Sequence, residues 1–231
     1  MLKKVALILI ILMSSCDQKT KVIFLGDSIT ELADSSGLEG TYRGFLAIMR
    51  ERMPSSFDFI NKGVSGDKIA DLLLRYESDV LLLEPDIVFI YIGINDVWHK
   101  YQIGSGSDID IYEKGLRKIV SNIKKMGIRI VLCTPTVIGE DFTNWKEKIV
   151  EAPPSTPFLM NQDLDFFSEV VARVSKDYQV EIIDLRQLFK DYLIRDNKGN
   201  QYKGILTYDG VHLNTKGNQL LADEFMKILA P

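Results

Sequence analysis

The sequence has no internal repeat and no Pro-, Gly- or Ser-rich linker long enough to divide it. It also shows no sign of disorder, because 46% of its 231 residues are hydrophobic and 26% are charged. A chain of this length can bury a sizeable core. We therefore expect one globular domain of ordinary composition.

The chain lacks an excess of positive charge, since 28 Lys and Arg residues face 32 Asp and Glu residues, for a formal net charge of −4. Removal of an N-terminal leader that contains Lys3 and Lys4 would make the net charge more negative. Surfaces that bind nucleic acids are basic. We therefore expect no nucleic-acid partner.

The N-terminal apolar run, Val5 to Met13, is too short to span a bilayer, because a spanning helix takes about 20 apolar residues. It follows Lys3 and Lys4 and precedes two serines and Cys16, which is typical of a secretory signal peptide. The stretch LMSSC resembles a bacterial lipobox, in which the leader is cut before a cysteine that receives lipid, although Met13 stands where Leu is commoner. A plain secretory signal and an uncleaved anchor are the alternatives.

The lipobox interpretation divides the chain into a lipoprotein signal peptide at residues 1–15, a lipidated tether at 16–20 and a folded domain at 21–231. It predicts an exported protein that is anchored in a bacterial membrane through lipid on Cys16, on the periplasmic or cell-surface side. Two or more acyl chains anchor a protein stably, since each buried CH₂ contributes about 0.8 kcal/mol.

Cysteine is scarce, with two in the chain. If Cys16 is acylated, Cys133 has no partner within the chain, so we expect no intramolecular disulfide. Cys133 lies in the apolar run IRIVLCT, where a free thiol packs as a small hydrophobic side chain.

Short apolar runs alternate with amphipathic stretches after residue 20, which is the pattern of parallel strands covered by helices on both faces. The predicted strands are Val22–Leu25, Phe57–Asn61, Ile87–Ile92, Ile128–Thr134 and Val180–Ile183. The predicted helices are Tyr42–Arg52, Asp67–Leu83, Asp108–Met126, Met160–Tyr178 and Thr215–Leu229. The first, third and fourth strands are apolar on both faces, which predicts central positions in the sheet.

The segment from Val137 to Phe158 breaks this alternation, since it mixes Trp145 with charged residues and three prolines. It follows the fourth predicted strand on the edge where α/β folds build their sites. It is either a flap on the substrate side or a loop without a role in the site.

Polar residues follow the predicted strands, and ligands of open α/β sheets bind at the carboxyl ends of strands. The residues at these ends are Gly26-Asp27-Ser28, Asn61-Lys62-Gly63-Val64-Ser65-Gly66 and Gly93-Ile94-Asn95-Asp96, with Asp209-Gly210-Val211-His212 near the C-terminus.

Ser28, in the stretch KVIFLGDSIT, has two incompatible interpretations. Ser28 and Glu31 fit the capping-box pattern, in which the serine oxygen accepts a backbone N–H and the glutamate reaches back. The other interpretation is a nucleophile. We favour the second, with Asp27 or the following backbone satisfying the turn and the Ser28 hydroxyl pointing outward.

Acyl transfer from an ester needs a nucleophile, a base, a group that orients the base and N–H donors for the oxyanion. The chain has two histidines, His99 and His212. His212 has Asp209 three residues before it, within reach of its Nδ1–H, and that bond would leave Nε2 for Ser28. His99 is predicted in a loop. Taken alone, the Asp209–His212 pair also fits a loop aspartate and a surface histidine before a helix.

Donors for an oxyanion are available at three strand ends. They are the backbone N–H groups of Ser28 and Gly66 and the side-chain amide of Asn95. Taken alone, Gly66 is also explained as the start of the next helix and Asn95 as part of a turn.

The four blocks, in this order, resemble those of the SGNH hydrolases, also called GDSL esterases and lipases, over about Lys21 to Leu229. Lys62 stands where members often have an apolar residue, and none of the implied roles depends on it. The resemblance implies an α/β fold, a three-layer α/β/α sandwich with a five-stranded parallel flavodoxin-like sheet. It implies neither a metal nor an organic cofactor. The implied site has Ser28 as nucleophile, His212 as base and Asp209 as its orienter, with Ser28, Gly66 and Asn95 as the oxyanion hole.

We therefore expect a serine esterase that hydrolyses an O-acyl ester through an acyl-enzyme intermediate. The chain has neither a Gly-x-Ser-x-Gly elbow nor a phosphate-binding glycine loop. The block GINDVWH and the lack of a long apolar lid helix favour a short acyl group, such as acetyl on a carbohydrate. The alternatives are a lysophospholipase or thioesterase of the same fold, and a non-catalytic surface lipoprotein that binds glycan.

Overall fold

The computed structural model describes residues 19–36, 42–141 and 156–230. Its strands are β1 (Thr20–Gly26), β2 (Phe57–Gly63), β3 (Ile87–Tyr91), β4 (Arg129–Cys133) and β5 (Glu181–Ile183). They form one parallel sheet in the order β2-β1-β3-β4-β5. The five predicted strands and the central positions of β1, β3 and β4 are confirmed.

Eight α-helices are present in the described residues. They are α1 (Ser28–Glu31), α2 (Phe45–Arg52), α3 (Ile69–Asp79), α4 (Ile94–Gln102), α5 (Ile109–Lys125), α6 (Thr156–Tyr178), α7 (Leu185–Asp196) and α8 (Thr215–Leu229). Short 3₁₀ turns follow α1 at Leu32–Asp34 and α3 at Leu81–Leu83. None of these helices has the length and hydropathy needed to cross a membrane.

Aromatic side chains fill the layer between one face of the sheet and two helices. Phe24 of β1 packs against Phe45 of α2 and Phe225 of α8, with ring centroids 5.4 and 5.3 Å from its own. Side chains alternate along a strand, so Ile23 and Leu25 point to the opposite face, where both are fully buried. Helices therefore cover both faces of the sheet.

Helices α3 and α5 are in close contact with each other. A Cβ added at Gly115 of α5 would lie 2.6 Å from Cγ1 of Ile69, at the start of α3. This approach needs glycine, and it brings the beginning of α3 over the sheet. The three-layer α/β/α prediction is confirmed.

The sheet register places the carboxyl ends of its strands side by side. Gly26 at the end of β1 pairs with Gly63 of β2 and with Tyr91 of β3, and Tyr91 pairs with Cys133 of β4. The chain passes from β1 to β2 on one side and to β3 on the other, so the strand order reverses at β1. Ligands of such sheets bind at the point of reversal.

The sequence predictions missed helices α4 and α7. Helix α4 begins two residues after β3 and includes His99, so the prediction of a loop around His99 is wrong. Helix α7 begins directly after Asp184, whose carboxylate accepts the N–H of Gln187 at 3.0 Å. Helices α4 and α7 both follow their strands without the polar linker that marks a boundary between strand and helix in a sequence. Helix α8 has the bounds that its apolar spacing predicts.

Several predictions concern residues outside the described part of the chain. They include the signal peptide at 1–15, Cys16 with most of the tether at 16–20, and residues 142–155 of the Val137–Phe158 segment. Val137 and Ile138, which open that segment, are fully buried. Cys133 is a free, buried thiol, and burial raises its pKa.

Candidate active site

Asp27 caps helix α1. Its carboxylate accepts the backbone N–H of Ile29 at 3.0 Å. Glu31 accepts a hydrogen bond from the hydroxyl of Ser65 and does not close a capping box with Ser28. The capping-box alternative for Ser28 is therefore wrong, because the cap lies one residue earlier.

Ser28, Asp209 and His212 lie together at the carboxyl edge of the sheet. Nε2 of His212 is 2.9 Å from Oγ of Ser28, and Nδ1 of His212 is 2.6 Å from Oδ2 of Asp209. The other oxygen of Asp209 accepts the N–H groups of Val211 and His212 at 2.9 and 2.7 Å. These contacts form a continuous chain of hydrogen bonds from carboxylate to hydroxyl.

The Asp209 carboxyl has a pKa below its ordinary value. Burial alone would raise it, but hydrogen bonds from the His212 ring and from two backbone N–H groups outweigh burial. The group is thus held as a carboxylate, which suits it to accept from Nδ1–H and leave Nε2 unprotonated toward Ser28.

Asp209 and His212 sit on a tight turn, residues 207–213. Its ends form an antiparallel bridge between Thr207 and Leu213, and the N–H of Tyr208 donates to the carbonyl of His212 at 2.9 Å. Gly210 at the tip has φ 103°, a conformation that favours glycine. The turn brings a carboxylate and an imidazole three residues apart into contact.

Aromatic rings surround the imidazole of His212. The ring of Tyr208 lies nearly parallel to it, with 5.7 Å between centroids, and the ring of Trp98 meets it edge-on at 6.1 Å. Tyr208 also contacts Tyr42. Tyr208 is exposed, so its ring forms part of the wall beside the imidazole.

Gly66 lies in the loop between β2 and α3. It has φ +82°, a left-handed conformation that favours glycine. The loop begins against β1, since the N–H of Val64 donates to the carbonyl of Gly26 at 3.1 Å. Gly66 therefore lies in a loop attached to the strand that leads to Ser28.

Asn95 is the second residue of α4 and is buried. Its amide Nδ2 donates to the carbonyl of Asp67, next to Gly66, at 3.1 Å. An amide nitrogen carries two hydrogens, so the second remains available for a ligand. Ser28 opens α1, and the first N–H groups of a helix have no acceptor within it. The geometry thus leaves donors at Ser28 and Asn95 near the loop of Gly66.

Arg75 is a residue of this region that the sequence analysis missed. Its guanidinium donates to the carbonyls of Gly26 and Lys62 at 2.8 and 3.0 Å and to the carboxylate of Asp67 at 2.7 Å. It therefore ties the ends of β1 and β2 to the loop of Gly66. Two of these acceptors are backbone carbonyls, for which the sequence carries no signal.

Two buried carboxyl groups lie behind the site. Burial raises the pKa of Asp27 to about 7, with the neighbouring Asp96 and Asp67 adding to the shift and the Ile29 N–H opposing it. Burial also raises the pKa of Asp96 to about 6, against hydrogen bonds from Ser107 and from the N–H of Ile69. Both groups therefore change charge near neutral pH.

His99 lies beside the Gly66 loop. Its Cε1 is 3.9 Å from the position that a Cβ on Gly66 would take. Burial and the nearby Lys68 lower its pKa. His212, and not His99, is hydrogen-bonded to Ser28. Across the described ranges, no group of three or more His, Cys, Asp or Glu side chains is arranged to hold a metal ion.

A strand-end hydroxyl joined through an imidazole to a carboxylate, on an α/β/α sandwich, is the arrangement of a serine hydrolase. Residues 24–220 match the model of the GDSL-like Lipase/Acylhydrolase family, and the chain belongs to that family. It is an ester hydrolase.

Among curated proteins, the chain is 30% identical to an acetylxylan esterase of Geobacillus stearothermophilus over 223 residues, covering 90% of this chain and 92% of that protein. It is 24% identical to the isoamyl acetate-hydrolyzing esterase of Saccharomyces cerevisiae over 220 residues, covering 90% of this chain and 85% of that protein.

Solved structures show the same likeness. The crystal structure of the acetyl xylan esterase AlAXEase matches with a TM-score of 0.77 and 36% identity, covering 90% of this chain and 99% of that one. A catalytic mutant of an acetylxylan esterase from Geobacillus stearothermophilus matches with a TM-score of 0.73 and 27% identity, covering 91% and 94% of the two chains.

Proposed function

We propose that the protein hydrolyses a short-chain O-acyl ester, with acetyl on a carbohydrate as the favoured substrate, and that Ser28 is the nucleophile. One observation carries the proposal: the hydrogen-bonded chain from Ser28 Oγ to His212 Nε2 (2.9 Å) and from His212 Nδ1 to Asp209 Oδ2 (2.6 Å). The names of the relatives support the acyl group, since they describe esterases of acetylated xylan and of isoamyl acetate.

In the first half of the reaction, Oγ of Ser28 attacks the ester carbonyl carbon while its proton passes to Nε2 of His212. The carbonyl electron pair becomes an oxyanion, held by the N–H groups of Ser28 and Gly66 and by the Asn95 amide. As the oxyanion collapses, the bond to the alcohol oxygen breaks. The alcohol leaves with the proton from His212, and the acyl group stays on Ser28.

In the second half, water attacks the acyl-enzyme while His212 takes one of its protons. The bond to Ser28 breaks, Oγ regains a proton from Nε2, and the carboxylic acid leaves. Asp209 stays ionised throughout and stabilises the imidazolium in both halves. Its lowered pKa suits this role, because it cannot take the proton from Nδ1 near neutral pH.

A fluorophosphonate probe tests the nucleophile, because it labels only an activated serine. We expect the wild type to label and Ser28→Ala not to label. Failure of the wild type to label would favour the non-catalytic glycan-binding alternative, and equal labelling of Ser28→Ala would refute Ser28 as the nucleophile.

A chain-length series of p-nitrophenyl esters tests the acyl group, and acetate release from acetylated xylo-oligosaccharides tests the alcohol. We expect kcat/KM to be highest for acetyl and to fall with chain length. A maximum at long acyl chains would instead indicate the lysophospholipase or thioesterase alternative.

We also propose that residues 1–15 are a lipoprotein signal peptide and that Cys16 carries the lipid that anchors the exported protein. The lipobox-like stretch before Cys16 supports this. In bacteria expressing the full chain, incorporation of a labelled fatty acid and recovery in the membrane fraction test it. Cys16→Ala should abolish both, and labelled Cys16→Ala would refute the assignment.

A further inference from the structure

Glu140 is a fully buried carboxylate outside the motif blocks. It accepts four hydrogen bonds, from the N–H groups of Ile205, Leu206 and Thr207 at 2.8, 2.7 and 2.5 Å and from the Thr207 hydroxyl at 2.7 Å. All of its partners lie 65 to 67 residues away in sequence. Its contacts therefore join the segment after β4 to a distant part of the chain.

The backbone of Glu140 is itself held in place. Its N–H donates to the carbonyl of Tyr202 at 2.8 Å, and its carbonyl accepts Nδ2 of Asn197 at 2.8 Å. The carboxylate is thus presented from a fixed backbone position.

The three partner residues lead directly into the 207–213 turn. Thr207 forms the first end of that turn, and its hydroxyl oxygen accepts the N–H of Gly210, the residue after Asp209, at 3.1 Å. Gly139, next to Glu140, donates its N–H to the carbonyl of Gly210 at 2.7 Å. Consecutive residues, Gly139 and Glu140, therefore hold the turn at its tip and at its base.

The backbone of residues 205–207 depends on an anion in this position. In an extended strand, consecutive N–H groups point to opposite sides, so three of them reach one oxygen pair only if the chain curls around it. Leu206 and Thr207 are fully buried, so no water would replace a missing acceptor there. Bonds from N–H groups to a carboxylate are also stronger than bonds to a neutral oxygen.

We infer that Glu140 is a positioning residue for the esterase reaction: its carboxylate fixes the 207–213 turn so that His212 Nε2 meets Ser28 Oγ. This inference rests on the proposed function, because it concerns the geometry of the same three side chains. Glu140 touches none of the reacting atoms, and it acts through Thr207 and Gly210. An error of about 1 Å in such a geometry can cost about 10²-fold in rate.

The test compares Glu140→Gln with the wild type in the full-length chain. Glutamine keeps the shape but faces one of the N–H donors with an amide NH₂. We expect kcat for p-nitrophenyl acetate to fall about 10²-fold while KM changes less than about twofold. In NMR spectra recorded well below the melting temperature, the downfield proton resonance of the His212–Asp209 hydrogen bond should shift or broaden.

A matched control separates positioning from loss of stability. Ser175→Ala removes a partly buried hydrogen bond, from Ser175 Oγ to the carbonyl of Val180 at 2.6 Å, at the opposite edge of the sheet. We expect it to lower the melting temperature but to leave kcat and the downfield resonance unchanged.

A second pair of variants covers the case in which Glu140→Gln does not fold. Thr207→Val keeps the volume but removes the hydroxyl between Glu140 and Gly210, and it should lower kcat about tenfold. Thr207→Ser keeps the hydroxyl and should restore most of that loss.

The outcomes distinguish this inference from the proposed function. If Ser28 labels with fluorophosphonate but Glu140→Gln and Thr207→Val keep wild-type kcat and an unchanged resonance, the positioning role is wrong and the esterase remains. If the wild type does not label, the proposed function is wrong and the inference falls with it.

Discussion

Asp27 and Ser28 divide between them two tasks that the sequence pattern assigns to one residue. The Asp27 carboxylate accepts the N–H of Ile29 at 3.0 Å and caps α1, while the Ser28 hydroxyl lies 2.9 Å from Nε2 of His212. An oxygen that accepts a cap bond is not free for the imidazole. The shift of the cap by one residue is what frees the hydroxyl.

His212→Ala should remove most turnover, because it deletes the one imidazole that is hydrogen-bonded to Ser28 in the described residues. We expect kcat to fall by about 10³-fold or more. His99→Ala is the matched control, since His99 lies beside the Gly66 loop and should affect only substrate preference. Initial rates with p-nitrophenyl acetate measure both, and equal losses would refute the choice of base.

Gly66→Ala should reduce kcat through the backbone rather than through a clash. The nearest atom to the added Cβ is His99 Cε1 at 3.9 Å, so there is space, but φ +82° is strained for alanine by about 1–2 kcal/mol. Relief of that strain would turn the Gly66 N–H, and loss of one oxyanion donor costs about 10²–10³-fold in kcat.

Gly104→Ala is the control for that strain. Gly104 has φ +68° with nothing within 4 Å of an added Cβ. Both alanine variants should lose similar stability in thermal melts, and only Gly66→Ala should lose kcat. Wild-type kcat in Gly66→Ala would contradict the expected turning of the Gly66 N–H.

Asp27→Asn should raise the free energy of unfolding above that of the wild type, and most strongly at alkaline pH. Because burial raises the Asp27 pKa to about 7, the folded state binds a proton that the unfolded state releases at lower pH, so stability falls as pH rises toward 7. Asparagine keeps the cap oxygen and avoids the charge.

Melting temperatures at pH 5 and pH 8 measure this effect. The free energy of unfolding of Asp27→Asn should exceed that of the wild type by less at pH 5 than at pH 8, where the difference is at most about 4 kcal/mol. A gain that does not grow with pH would contradict the raised pKa.

Arg75→Gln should lower both stability and kcat, because Arg75 joins the carbonyls of Gly26 and Lys62 to the carboxylate of Asp67. Hydrogen bonds to charged groups contribute about 1.5–3 kcal/mol each. Arg52→Gln is the control, since Arg52 makes an exposed pair with Asp223 that is worth about 0–1 kcal/mol. The free energy of unfolding in urea and kcat should both be lower for Arg75→Gln than for Arg52→Gln. Similar values for the two variants would contradict a role for Arg75 at the strand ends.

The sequence predicted the fold and the site candidates because both follow from local patterns. Apolar runs mark β1, β3 and β4, and the polar blocks that follow them contain Ser28 and Asn95. Helix α4 was not predicted because its first turn has the sequence of a polar loop at a strand end. Local propensity does not distinguish such a loop from the first turn of a helix.

Arg75 and Glu140 could not be predicted for a different reason. Arg75 acts on backbone carbonyls of other segments, and Glu140 acts on backbone N–H groups more than sixty residues away. Backbone groups are the same in every residue, so no pattern of side chains marks them as partners. Such contacts become visible only when the chain is folded.

The direction of β1 affects which esters can reach Ser28. The strand runs from Thr20 to Gly26, which is about 20 Å of extended chain, and Ser28 follows at its far end. With lipid on Cys16, as proposed, the residues before Thr20 extend at most about 14 Å from the bilayer. The start of β1 would then lie close to the membrane, and Ser28 would lie at the end of the strand farther from the tether. If β1 also points away from the bilayer, polymers and diffusing esters on the outer side would approach Ser28 more directly than an ester in that same bilayer.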